Sequence, residues 1–173
     1  SDVYKRQLGY YRAIADHGWT TSTELAQFTN TNERYAREWL EQQTVSGVIE
    51  VQDERADALS RRFRLPPSHA EVLTERDSLN YLAPLAQLAV GAVFPIHSVL
   101  DVFRNGGGVS FAQYGADLRE GQGNMNRAMF LYELGQEWLP AIAEVDARLN
   151  DDNPARVADI GCGVGWSSIG MAN

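Results

Sequence analysis

Cysteine is almost absent from this 173-residue chain: a lone Cys162 excludes an intrachain disulfide framework. No secretory leader precedes the folded pattern, and together with the single thiol this favours a cytoplasmic protein. A long hydrophobic run is missing as well. The most apolar stretch, Leu79 to Val102, is broken by Pro84, Gln87, Pro95 and His97, whereas a bilayer span needs about 20 predominantly apolar residues. No membrane segment is expected. Positive charge is in deficit: 15 Lys and Arg against 23 Asp and Glu leave a formal net charge of -8. Such a chain repels a polyanion unless its basic residues gather on one face, which disfavours nucleic acid as a partner. Internal repeats and low-complexity tracts are also lacking.

What is present is the composition of a folded chain, with 44% hydrophobic and 22% charged residues. Ser1 to Gln7 (SDVYKRQ) shows no apolar periodicity and reads as a non-native leader. From Leu8, the spacing Leu8, Tyr11, Ile14, Ala15 predicts a helix ending at Asp16-His17-Gly18. Thr21 and Glu24 have capping-box spacing ahead of a second helix carrying Leu25, Ala26 and Phe28. Asn30 to Asn32 form a turn. A third helix, Glu33 to Ser46, places Ala36, Trp39, Leu40 and Gln43 on one side, with Gly47 where a left-handed cap is needed. Val48 to Gln52 and Phe63 to Leu65 read as paired strands, with the charged stretch 53–62 as a long hairpin tip. Three helices and such a hairpin describe a winged helix-turn-helix over residues 8–67.

Residues 68–150 read as a helical connector. Leu79, Leu82, Leu85, Leu88 and Ala89, then Ile96, Val99, Leu100 and Phe103, have helical spacing. Asn105 to Gly108 (NGGG) is a breaker, and the polar, Gly-rich stretch Gly121 to Asn124 predicts a mobile loop. Helical pattern resumes from Met129 and bends near Pro140. Asn150 to Pro154 is a linker. Residues 151–173 then begin another domain: Arg156 to Ile160 is a strand candidate, followed by Gly161, Cys162, Gly163, Val164, Gly165 and the helix-compatible Trp166 to Ala172.

A strand, a tight glycine turn and a helix form a cofactor turn, because glycine accepts positive φ and lets backbone approach a ligand closely. The dinucleotide fingerprint G-x-G-x-x-G would require glycine at position 166, where Trp166 stands, and this argues against NAD. The run Asp159-Ile160-Gly161-Cys162-Gly163-Val164-Gly165 instead resembles D-x-G-x-G-x-G, the first motif of class I methyltransferases, at every position. The preceding winged helix, helical connector, Gln113-Tyr114-Gly115-Ala116-Asp117 loop and Trp-Leu-Pro helix resemble those class I methyltransferases that carry an N-terminal winged-helix domain.

This resemblance implies a mainly α chain with a small β-hairpin, ending in the first β-α unit of a Rossmann-like methyltransferase domain. It implies S-adenosylmethionine as cofactor, with Asp159, Gly161, Cys162, Gly163 and Gly165 facing it, a small-molecule methyl acceptor, and a winged helix used for dimerisation or to cover the substrate pocket. A homodimer through the winged-helix and connector helices is expected. The acidic residue that pairs with the ribose hydroxyls would fall about 20 residues past Asp159, beyond Asn173. The chain therefore reads as the front end of such an enzyme, inactive by itself, with the segment 156–172 poorly supported.

Other residues are candidates on chemistry. Arg127, in Asn124-Met125-Asn126-Arg127, could hold the methionyl carboxylate in a bidentate pair or be a solvated arginine at a helix start. Tyr114, Phe111 and Phe130 could close over substrate or be plain core. His97 could be a general base or a polar residue on a connector helix. Cys162, lacking a Cys or His neighbour, reads as a small turn residue rather than a nucleophile or metal ligand. No metal is called for. The competing reading, a winged-helix transcription regulator, rests on Arg34, Arg37, Arg61, Arg62 and Arg64. Against it, residues 31–47 carry two arginines and three glutamates, and the wing from 52 to 66 is nearly balanced.

Overall fold

The computed structural model describes residues 8–153 and 155–172. The leader read at Ser1 to Gln7 lies outside them, as do Pro154 of the linker and Asn173. The chain divides into two units, one through Ala83 and one from Pro84.

The first unit is built as its local chemistry dictates. Helix α1, Tyr10–His17, buries Tyr10, Tyr11 and Ile14 and stops at Gly18, whose positive φ of 72° ends the helix while its N–H still reaches the Ile14 carbonyl. Helix α2, Ser22–Thr29, opens on the capping box: the Glu24 N–H donates to Thr21 Oγ1 at 3.2 Å, and the Thr21 N–H donates to Glu24 Oε2 at 2.8 Å. Helix α3, Glu33–Val45, is capped by Asn32, which accepts from the Arg34 N–H. It ends in a Schellman motif, with Gly47 at φ 72° donating to Thr44 and Val48 donating to Gln43, both at 2.9 Å.

The expected hairpin is present in a shorter form: β1, Glu50–Val51, pairs antiparallel with β2, Phe63–Arg64. Thr20 extends it, exchanging both backbone hydrogen bonds with Phe63. Ile14, Leu25, Ala36, Leu40 and Phe63 are sealed from water, and Trp39 lies between Tyr10 and Tyr11. Helix α4, Pro67–Thr74, starts on a proline and places Ala70 and Leu73 against this core. Grouped with the connector by sequence pattern, it packs instead within the first unit.

The second unit is helical: α5, Pro84–Val93; α6, Ile96–Asn105; a 3-10 turn at Phe111–Tyr114; α7, Gly115–Tyr132; a π-helical turn at Leu134–Trp138; α8, Ala143–Leu149; and α9, Trp166–Ala172. Two expectations are corrected here. The stretch Gly121 to Asn124 is not a mobile loop but lies inside α7, with Gly121 and Gly123 buried. Glycine disfavours helix by about 1 kcal/mol relative to alanine, but these positions are packing contacts where a side chain does not fit. A Cβ on Gly121 would lie 2.8 Å from the Leu88 backbone nitrogen on α5, and one on Gly91 of α5 would collide with the Leu118 backbone of α7. Buried Gln87 crosses the same seam, donating to Asp117 at 3.0 Å and Glu120 at 3.2 Å.

The second correction concerns the strand candidate Arg156 to Ile160, which is not in a ladder. A strand is completed by a neighbour's hydrogen bonds, and among the described residues the only sheet is β1 with β2. The chain is thus mainly helical with a small two-stranded antiparallel sheet. Among the described residues no single helix is long and apolar enough to cross a membrane; α5 and α6 taken together would be, but they are bent by 42° at their junction.

The α5–α7 seam sets the first test. Gly121→Val is expected to loosen the second unit by at least the roughly 1–3 kcal/mol typical of overpacking, read as faster amide exchange across α5 and α7. Gly108→Ala, with nothing within 4 Å of the added Cβ, should leave exchange unchanged.

Candidate functional site

The glycine turn is held open by backbone geometry. Gly161, Gly163 and Gly165 sit at φ 77°, 59° and 87°, a region that side chains disfavour, and no atom lies within 4 Å of where a Cβ would stand on any of them. The Gly165 N–H closes the turn on the Cys162 carbonyl at 2.9 Å. Asp159, before the turn, accepts from the Ser167 hydroxyl at 2.6 Å and the Ser168 hydroxyl at 2.8 Å, tying the approach to the turn to the start of α9. These bonds, Ser167 first and then Ser168, hold the Asp159 carboxyl below the ordinary aspartate range.

Two glycines seat this assembly on α7. A Cβ on Gly123 would overlap the Val164 side chain, and one on Gly170 of α9 would overlap the Phe130 carbonyl. Between α7, the turn and α9 lies a cavity of about 680 Å3. Its wall brings together Asp159, Gly161, Cys162 and Gly163 with Phe111 and Phe130, six of the residues singled out from sequence. The other four stand elsewhere. Gly165 ends the turn and is not part of the wall. The Arg127 guanidinium lies over the Trp166 ring, 4.8 Å from its centroid, and is not part of the wall. His97 lines a separate cavity of about 290 Å3 with Phe94, Pro95 and Gln113. Tyr114 lies in the 3-10 turn and lines neither.

The wall also holds residues that sequence reasoning missed: Arg119, Glu120, Gln122 and Asn126 of α7, and Trp166 and Met171 of α9. A signal for the α7 set existed. Residues 119, 123, 126 and 130 follow helical spacing, which the assignment of 121–124 to a loop concealed. Among the described residues no group of three or more His, Cys, Asp and Glu is placed to hold a metal ion. Cys162 is exposed on the turn.

The winged helix presents a different surface. Of the arginines that could face DNA, Arg34 stands 3.9 Å from Glu38, Arg37 3.1 Å from Glu33, Arg61 2.9 Å from Glu41, Arg62 3.8 Å from Glu24 and Arg64 2.5 Å from Glu50. Arg64 also covers the face of Trp19. Such pairs add little stability at a surface. Their effect is to place a carboxylate beside each cation, where a phosphate would otherwise go.

Lowered carboxyl titration gives the turn a pH dependence. The Asp159 bonds contribute in full above the ordinary carboxyl value and are lost as pH falls through the lowered folded value. NMR titration is expected to show the amides of residues 166–168 shifting with the Asp159 carboxyl, at a pH below that of free aspartate. Asp159→Asn should abolish that transition.

Residues 6–75 match the family model described as the Rv2258c-like winged HTH domain. No curated protein matches the chain. The three helices, the hairpin and the added α4 agree with that match in order and extent. The first unit is a winged helix-turn-helix domain, similar to the Rv2258c-like group.

Proposed function

We propose that the chain is part of an S-adenosylmethionine-dependent methyltransferase acting on a small-molecule acceptor. One observation carries the reading: the D-x-G-x-G-x-G run folds into a turn with all three glycines at positive φ, clear space at each missing Cβ, and a cavity in front of it. This fits a nucleoside cofactor. The glycines would let it approach the backbone, and Cys162 would contribute backbone rather than its thiol. When bound, S-adenosylmethionine supplies a methyl group on a sulfonium that already carries its leaving group. Phe111, Phe130 and Leu134 give the cavity apolar surface, against which a bound sulfonium would be partly shielded from water. The same reading gives dimerisation to the winged helix and to the apolar side of α6, whose Ile96, Leu100 and Phe103 are exposed and none of whose residues is buried.

Gly163→Val should eliminate binding, because its side chain would enter the cavity and valine is strained at φ 59°. Isothermal titration of S-adenosylmethionine into the full-length parent, wild type and variant, checks this, with circular dichroism confirming that the variant is folded. Equal affinity in a folded variant removes the turn from the site.

The second reading, a DNA-binding regulator, is favoured by the winged HTH domain itself. The ion pairing of Arg34, Arg37, Arg61, Arg62 and Arg64 opposes it. Duplex DNA is therefore expected to bind weakly and without sequence preference in a gel-shift series at physiological salt. Sequence-specific binding tighter than about micromolar would establish the regulator instead.

A further inference from the structure

We propose that Arg119, not Arg127, is the residue that takes the carboxylate at the amino-acid end of the cofactor; this rests on the methyltransferase reading above. Three charged side chains line the cavity: Arg119, Glu120 and Asp159. Asp159 is satisfied by the Ser167 and Ser168 hydroxyls, and Glu120 accepts from the buried Gln87 amide. Arg119 has neither a hydrogen bond nor an ion pair among the described residues. Both carboxylates already accept hydrogen bonds from neutral groups, so Arg119 is the charged side chain of the wall whose donors are left open to an anion.

Position supports the assignment. Gly123 is the point at which α7 touches Val164 of the turn. Arg119 stands one helical turn earlier on the same face, about 6 Å along the axis. A guanidinium there reaches over the cavity beside the turn, and its planar fork suits a carboxylate in two parallel hydrogen bonds. Arg127 is committed differently. It lies over the Trp166 ring at the start of α9, outside the wall, and serves to position that ring.

The test compares two probes on the 173-residue chain. S-adenosylhomocysteine carries the amino-acid end; 5′-methylthioadenosine keeps the nucleoside thioether and lacks that end. Affinities are measured by NMR titration up to millimolar ligand for the wild type, Arg119→Gln, Arg119→Lys and Arg127→Gln. The wild type should prefer S-adenosylhomocysteine. Arg119→Gln should weaken that ligand by about tenfold to a hundredfold, the range for a charged hydrogen bond, and leave methylthioadenosine unchanged. Arg119→Lys should recover part of the loss. Equal weakening of both ligands, or no weakening of either, overturns the assignment and leaves the cofactor site standing. Selective loss in Arg127→Gln alone returns the role to Arg127. Failure of both probes to bind the wild type at millimolar ligand overturns this assignment and the claim that the cavity of this chain holds the cofactor.

Discussion

Close approach at glycine is the constraint on which the second unit depends. Helix α7 meets α5 where Gly121 faces the Leu88 backbone and Gly91 faces Leu118, meets the glycine turn where Gly123 faces Val164, and meets α9 where Gly170 faces the Phe130 carbonyl. Each glycine weakens its own helix relative to alanine. The return is contact between main chains that no larger residue allows. Almost no large side chain is fully buried in this unit, so these contacts take the place of an apolar core. They also fix the cavity, because the helix that packs on α5 is the helix that supports the turn.

The first unit obeys the opposite economy. Its core is a sealed set of aliphatic and aromatic side chains, from Ile14 and Leu25 to Phe63. Arginines of α3 and the wing stand beside glutamates of the same unit at a partly exposed surface. A winged helix that reads DNA gains affinity by releasing counterions from phosphates as its cations engage them. Arginines that already stand beside carboxylates of their own unit release less on meeting a phosphate, which is the physical basis for the weak DNA binding expected above.

Where local chemistry decided the structure, the sequence was enough to read it. The Thr21–Glu24 box, the Gly47 cap, the order of three helices and a hairpin, and the glycine turn are short-range features, and each stands where its residues put it. Long-range packing was not legible. Gly121 and Gly123 look like loop residues to any local rule, and only the facing Leu88 and Val164 explain why they sit in a helix. The strand at 156–160 failed for a related reason: alternation and apolar content cannot supply the neighbouring strand that a ladder requires. Arg127 was nominated by proximity to a glycine-rich stretch, and the Trp166 ring that holds it could not be foreseen from spacing.

The division of labour in the cavity follows from what the turn is made of. Gly161, Cys162, Gly163, Val164 and Gly165 offer a ligand almost nothing but main chain, and Val164 is spent against Gly123. Main chain recognises a class of ligand by shape and hydrogen bonding, and it cannot distinguish closely related members. In the proposed cofactor reading, selectivity would come from the side chains that share the cavity, among them Arg119, Gln122, Asn126 and Phe130 of α7 and Phe111. Because α7 is held in place by glycine contacts on both of its neighbours, its place in the cavity is set by packing rather than by the motif. In the proposed reading the glycine motif would set the type of ligand, and the helix that seats it would set which members of that type are told apart.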